Sequence, residues 1–187
     1  NQTFTLGSSG QNVTTGIGDV TINTGDLTYI NGTIDGTYAD YLTLQIADNS
    51  NNDYVEINNA DIYGADLAPY SINIDGVEAV YMTSDQNAHI SSAAGYNSVA
   101  LSDSSDATGN SGVENYYLAD GNQTFTLGSY NQNVTTGYGD VTINTGDQTY
   151  ISGTIDGTYA DYLTLQIADN GNNDYVEINN ADIYGAD

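Results

Sequence analysis

A β-solenoid, an all-β chain wound coil upon coil, is the fold this sequence predicts, and three observations predict it. Strand-forming runs are short and alternate apolar with polar residues. Gly, Asn and Asp separate them at even intervals. The chain also restates itself, residues 1–66 matching 122–187 at all but six positions. Alternation turns one side of each run inward, and self-similarity at a fixed period marks stacked repeat architectures. The six differences are Ser9/Tyr130, Gly10/Asn131, Ile17/Tyr138, Leu27/Gln148, Asn31/Ser152 and Ser50/Gly171. The period is 121 residues, so a first complete unit covers 1–121 and a second, near-identical unit starts at 122–187.

The strands follow in order. FTL (4–6) and VTI (20–22) each set Thr between two apolar residues, and LTYI (27–30) follows the TGD turn. YLTLQI (41–46) is the longest alternating run. YVEI (54–57) and DIY (61–63) flank an Asn-Asn turn, and YSINI (70–74) follows the chain's single Pro. AVYM (79–82), HIS (89–91), SVAL (98–101) and YYLA (116–119) complete the unit. Almost nothing between them has helical period.

One apolar anchor from alternate strands gives Ile22, Tyr41, Ile62, Val80, Val99, Tyr117 and Ile143, at steps of 19, 21, 18, 19, 18 and 26. About six coils of ~20 residues per repeat are therefore expected, with an inserted loop in the last. Tandem β-sandwich domains with turns every 8–12 residues are the alternative. In a solenoid, like residues stack as ladders. Tyr41, Tyr63, Tyr81 and Tyr117 fall near one phase and predict a tyrosine ladder beside Thr and Asn ladders. The same tyrosines read equally well as strand-favouring aromatics at half-buried positions.

Charge narrows the function. Twenty-one Asp and four Glu meet no Lys and no Arg, for a formal charge of -25. Each carboxylate must be solvated, hydrogen-bonded, protonated or bound to a cation. Such a surface repels phosphate backbones and anionic lipids, which excludes nucleic acid and direct membrane insertion as expected partners. No apolar run approaches the ~20 residues that span a bilayer. No Cys is present, so disulfides and thiolate metal sites are excluded. If six coils rise roughly 29 Å, the sixteen acidic residues of 1–121 give about one negative charge per 1.8 Å. DNA, at about one per 1.7 Å, condenses counterions. Calcium, which takes six to eight oxygen ligands, is the expected cation.

Two stretches supply candidate ligands. ADNSNNDY (47–54), restated at 168–175, sets Asp48, Ser50, Asn52 and Asp53 at nearly alternating positions, with Asp169, Asn173 and Asp174 in the second copy. An Asx-rich turn that binds nothing has the same sequence. TGIGDVTINTGD (15–26) and TGYGDVTINTGD (136–147) resemble the glycine- and aspartate-rich nonapeptides of haemolysin-type calcium β-rolls. Thr stands in place of their first Gly, and the Asp comes one place early. That resemblance implies Asp19, Asp26, Asp140 and Asp147 as calcium ligands.

In organisation the whole chain is similar to bacterial extracellular tandem-repeat fibre and adhesin proteins: acidic, rich in Thr, Asn and Gly, nearly identical from copy to copy. The resemblance implies an extracellular or cell-surface location and an architectural role, with neighbouring repeats as partners. A calcium-stabilised adhesin stalk of sandwich repeats is one alternative. A carbohydrate- or ice-binding solenoid is another, carbohydrate through exposed Tyr and ice through pairs such as Thr3/Thr5 and Thr124/Thr126. Catalysis is not expected: there is one His, His89, and no Cys nucleophile. A substrate of acidic polysaccharide would find no cationic group to hold it.

Overall fold

The computed structural model describes residues 1–47, 54–64, 69–168, 176–178 and 181–185. It divides into two compact units, 1–97 and 98–187. In the first, β1 (Gln2–Thr5), β2 (Val13–Thr14), β3 (Asp19–Asn23), β4 (Thr33–Asp35), β5 (Tyr41–Gln45), β6 (Tyr54–Glu56), β7 (Asp61–Tyr63), β8 (Ser71–Asn73) and β9 (Ala79–Met82) are followed by one helical turn, α1 (Ser84–Ala88), and β10 (Ile90–Ser92). In the second, β11 (Ser98–Leu101), β12 (Ala107–Thr108), β13 (Asn115–Tyr117), β14 (Gln123–Thr126), β15 (Asn133–Thr135), β16 (Asp140–Asn144), β17 (Thr154–Asp156), β18 (Tyr162–Gln166) and β19 (Asp182–Tyr184) continue the pattern.

Each described ladder is parallel. The first unit carries the sheets β1-β3-β5-β8-β10 and β2-β4-β7, and β6 pairs with β9. The second carries β12-β14-β16-β18 and β11-β13-β15-β17-β19. Paired strands are two or three apart in sequence and the strands between them join other sheets, so the chain is a β-solenoid. Two packed antiparallel sheets are absent among the described residues, and the sandwich alternative falls with them.

Alternation builds the core. In β3, Val20 and Ile22 are buried while Thr21 and Asn23 are half-exposed. Ile22 stacks on Leu44, Leu44 on Ile72 and Ile72 on Ile90, all inward. Outward, Thr3, Thr21, Thr43 and Ser71 form one column, and Thr5, Asn23, Gln45 and Asn73 another. Thr43 Oγ1 and Ser71 Oγ lie 3.1 Å apart across two coils. Thr thus stacks on Thr from Thr3 to Thr43, whereas the second column mixes Thr, Asn and Gln.

The spacing of the coils corrects the sequence reading. Coils in one sheet are unequal: the steps from Phe4 to Ile22 and from Ile72 to Ile90 are short, that from Ile22 to Leu44 is longer, and that from Leu44 to Ile72 is the longest. The long step recurs from Ile34 to Ile62 and from Ile155 to Ile183, so the inserted loop lies in mid-repeat and not at its end. The anchors mix sheets: Tyr41 lies opposite Asp19, and Ile62 opposite Ile34. The tyrosine ladder goes the same way. Tyr63 faces Asp35, Tyr81 faces Glu56, and Tyr117 faces Thr135, so none of the four stacks on another.

The junction between repeats is an ordinary coil contact. β12, from the end of the first copy, pairs with β14 at the start of the second through Ala107↔Phe125 and Thr108↔Thr126. Beside it, β13 pairs with β15 through Asn115↔Asn133, Tyr116↔Val134 and Tyr117↔Thr135. Parallel hydrogen bonding thus runs through the repeat boundary at residues 121 and 122 without interruption.

Candidate functional site

The coil corners carry the polar chemistry. At several of them a side-chain oxygen accepts the backbone N–H of the next coil. Asn12 Oδ1 accepts from Thr33 N at 2.9 Å, and Asn133 Oδ1 repeats this with Thr154 N at 2.9 Å. Asp106 Oδ1 accepts from Thr124 N at 2.7 Å, Asp120 Oδ1 from Tyr138 N at 3.0 Å, and Asn122 Oδ1 from Asp140 N at 2.9 Å. Four of these donors, Thr33, Thr154, Thr124 and Asp140, lie at or near the start of β4, β17, β14 and β16, so the side-chain oxygens extend the ladder where the strand meets its corner. Asp and Asn do the same work at equivalent geometry. The fold therefore requires an acceptor at these positions, and the negative charge is additional to that requirement.

Three carboxylates are held below their ordinary value of 3.8. For Asp35 and Asp156 the chief cause is the hydroxyl of Thr37 or Thr158, followed by the same residue's N–H. For Asp75 it is the Ser92 hydroxyl at 2.6 Å, then Ala94 N at 2.6 Å. A lowered folded-state pKa contributes stability that is present above the unfolded value and lost as pH falls through the folded one. Asp75→Asn keeps an acceptor oxygen but has nothing to titrate. The stability difference between wild type and Asp75→Asn is therefore flat above the ordinary carboxylate range and shifts against the wild type below it, as parallel acid-unfolding curves will show. Taking the difference removes the general relief of repulsion that acid brings to so acidic a surface.

Buried glutamines clamp successive coils, and the sequence reading missed them. Gln132 is buried, accepts from Gly128 N at 2.8 Å, and donates to Asn110 O at 2.7 Å and Val113 O at 3.0 Å. Gln86 does likewise in the first unit, donating to Ile57 O and Ala60 O while accepting from Thr83 N. The recurring dipeptide Gln-Asn, at 11–12, 86–87 and 132–133, was the available signal. Gln132→Ala takes the side-chain donor from the buried Val113 O and from Asn110 O, which keeps the Val113 N–H, and takes the acceptor from Gly128 N, and is expected to lower stability by roughly 3 kcal/mol in denaturant titration. Gln11, half-buried at the equivalent position, accepts from Gly7 N, and Gln11→Ala is expected to lower it by about 1 kcal/mol.

The predicted calcium ligands are distributed as follows. Asp48, Ser50, Asn52 and Asp53, with Asp169, Asn173 and Asp174, lie outside the described residues. Asp19 and Asp140 open β3 and β16, exposed, each opposite a tyrosine, Tyr41 or Tyr162. Asp26 and Asp147 sit in the turns beyond those strands, each after a glycine with φ near +59° or +58°. A strand of this length, roughly 13 Å from end to end, separates Asp19 from the turn that carries Asp26. Among the described residues, no three His, Cys, Asp or Glu side chains converge on one point.

One polar hollow of about 280 Å³ opens in the first unit, between Asn58, Asp61, Tyr63, Tyr70 and Asp85. His89 caps α1 and lays its ring 4.0 Å from that of Tyr70, whose hydroxyl reaches Asp85 at 3.4 Å. Burial first, then the Asp85 carboxylate, hold the Tyr70 phenol well above its ordinary range, so it remains protonated. His89 thus packs against a ring beyond a helix end and not within the strand that its sequence suggests.

No described helix is long and apolar enough to cross a membrane. No family model, curated protein or solved structure matches the chain.

Proposed function

We propose that this chain is an architectural segment of an extracellular tandem-repeat fibre, a non-catalytic rod whose acidic surface is hydrated and screened by cations. The observation that carries this reading is the repeat boundary. Where β12 meets β14, one copy continues into the next with full parallel register and a buried core. A chain built this way lengthens by adding copies, without a linker and without a new kind of interface. Its charge supports the same reading. Asn12 and Asn122 accept a backbone N–H from the next coil as Asp120 does, so at such corners the acceptor serves the fold and the charge serves the surface. The chain has no Lys or Arg, so it offers trypsin-like proteases no cleavage site, which suits a matrix component.

The test is to measure, by electron microscopy, chains carrying increasing numbers of the 121-residue unit. Contour length is expected to grow by roughly 29 Å per unit, six rises of about 4.8 Å. Beads of constant diameter joined by gaps would overturn the rod. Calcium remains part of the proposal as the screening ion, with the loop at 47–54 and its copy as the first place to look. Thermal melts in EDTA and in added Ca²⁺ decide it: a transition raised by Ca²⁺ supports the ion, and identical transitions remove it.

A further inference from the structure

We propose that the second copy carries two sites of oxidative tyrosine cross-linking, Tyr138 with Tyr159 and Tyr130 with Tyr150, each joining one coil to the next. The observation is a coincidence between sequence and geometry. Of the six positions at which the copies differ, two become tyrosine in the second, Ser9 to Tyr130 and Ile17 to Tyr138. Both new rings land against a tyrosine that both copies already possess. Tyr138 and Tyr159 have ring centroids 5.8 Å apart at an interplanar angle of 62°, and Tyr130 and Tyr150 lie 5.8 Å apart at 46°.

The backbone fixes these encounters. Ser152 N donates to Tyr130 O at 2.8 Å, two residues from Tyr150. Asp161 N donates to Gly139 O at 2.8 Å, beside both Tyr138 and Tyr159. Tyr138 N is itself held by Asp120. Tyr130, Tyr138 and Tyr159 are open to a reagent, at 52%, 60% and 54% exposed, and Tyr150 is half-buried, so in that pair the radical forms first on Tyr130. Each pair thus has at least one ring accessible at the tip and both tethered at the base, which is what coupling between two short-lived radicals needs.

The chemistry balances with one oxidant. A peroxide-dependent haem enzyme removes one electron and one proton from each phenol O–H. The two phenoxyl radicals couple through ring carbons ortho to oxygen, forming one C–C bond. The hydrogens on those carbons shift to the oxygens and restore two phenols. The link is two hydrogens lighter than the free pair, and hydrogen peroxide carries these away as two molecules of water. With no Cys for disulfides and no Lys for isopeptides, tyrosine coupling is the covalent staple this composition leaves open. The inference stands on the ring geometry and does not depend on the fibre reading.

The experiment uses the full chain, dilute enough to remain monomeric, treated with a haem peroxidase and hydrogen peroxide. Digestion before Asp, followed by mass spectrometry, locates the links. The expected result is intramolecular linkage of 138 to 159 and of 130 to 150, ahead of other exposed tyrosines such as Tyr41, Tyr63 and Tyr162. Tyr138→Ile and Tyr130→Ser install the first copy's residues, which the same fold accommodates, and each is expected to abolish its own link alone. Ile17→Tyr and Ser9→Tyr are expected to create matching links to Tyr38 and Tyr29. Links scattered over exposed tyrosines, or a pattern unchanged by Tyr138→Ile, would overturn the proposal.

Discussion

Phe125→Ala is expected to lower the stability of the 187-residue chain by about 3–5 kcal/mol, whereas Phe4→Ala, the same change at the equivalent position of the first copy, lowers it by about 1–2 kcal/mol. The two phenylalanines sit in identical octapeptides, NQTFTLGS. Their surroundings differ. β14 lies between β12 and β16, and Phe125 is 0% exposed with its ring 4.7 Å from that of Tyr116. β1 stands at the edge of its sheet, and Phe4 is 41% exposed. Removing Phe125 empties a packed site that neighbouring coils cannot fill without shifting their register. Removing Phe4 strips a side chain that has a coil on one side only. Thermal or urea unfolding of both variants measures the difference, and local hydrogen exchange in β12, β14 and β16 will show where it is felt. Equal losses would mean that stacking between coils is not what buries the strand.

The second large effect uses the same pairing of copies. A Cβ on Gly128 would be driven into the carbonyl group of Gly109 in the coil beneath, and backbone cannot swing aside as a long side chain can. Gly128→Ala is therefore expected to destabilise by about 3 kcal/mol, through forced separation of two coils. At the equivalent Gly7 the nearest atom to an added Cβ is Gln11 Oε1 at 3.6 Å, an ordinary contact. Gly7→Ala is expected to change stability by less than about 0.5 kcal/mol. Matched melts of the two variants settle it, and a tolerated Gly128→Ala would show that the coils can separate at this corner.

These paired positions also explain what could be read from the chain in advance. Period-two runs such as DVTIN and YLTLQ state which residues face inward, because burial on one side of a strand leaves a mark at every second position. Register leaves no such mark. Ile22 and Tyr41 are separated by about the length of one coil and looked like stacked anchors, yet Leu44 lies on Ile22 while Tyr41 lies opposite Asp19. Coils as unequal as Phe4 to Ile22 and Leu44 to Ile72 cannot be averaged into a single step without mixing sheets. The strand Thr33–Asp35 escaped notice because it holds one apolar residue between two glycines. α1 is too short for periodicity, although its capping box, Thr83 with Gln86, was present in the sequence. At the corners, Asp and Asn announced turns but not the donors they accept. Those donors come from the next coil, far along the chain from the oxygens that hold them.

The uninterrupted ladder across residues 121 and 122 has a genetic consequence. Near-identical neighbouring copies invite unequal recombination, which inserts or excises one whole period at a time. Phe4 and Phe125 occupy the same position within a coil, Phe4 aligned with Ile22 and Phe125 with Ile143. An exchange between copies therefore joins a coil to a coil in phase, and the new junction is one the protein already contains. Insertion or excision of one whole unit would therefore carry no folding penalty at the join. Differences between the copies, as at Tyr130 and Tyr138, would pass through such an exchange with the fold unchanged.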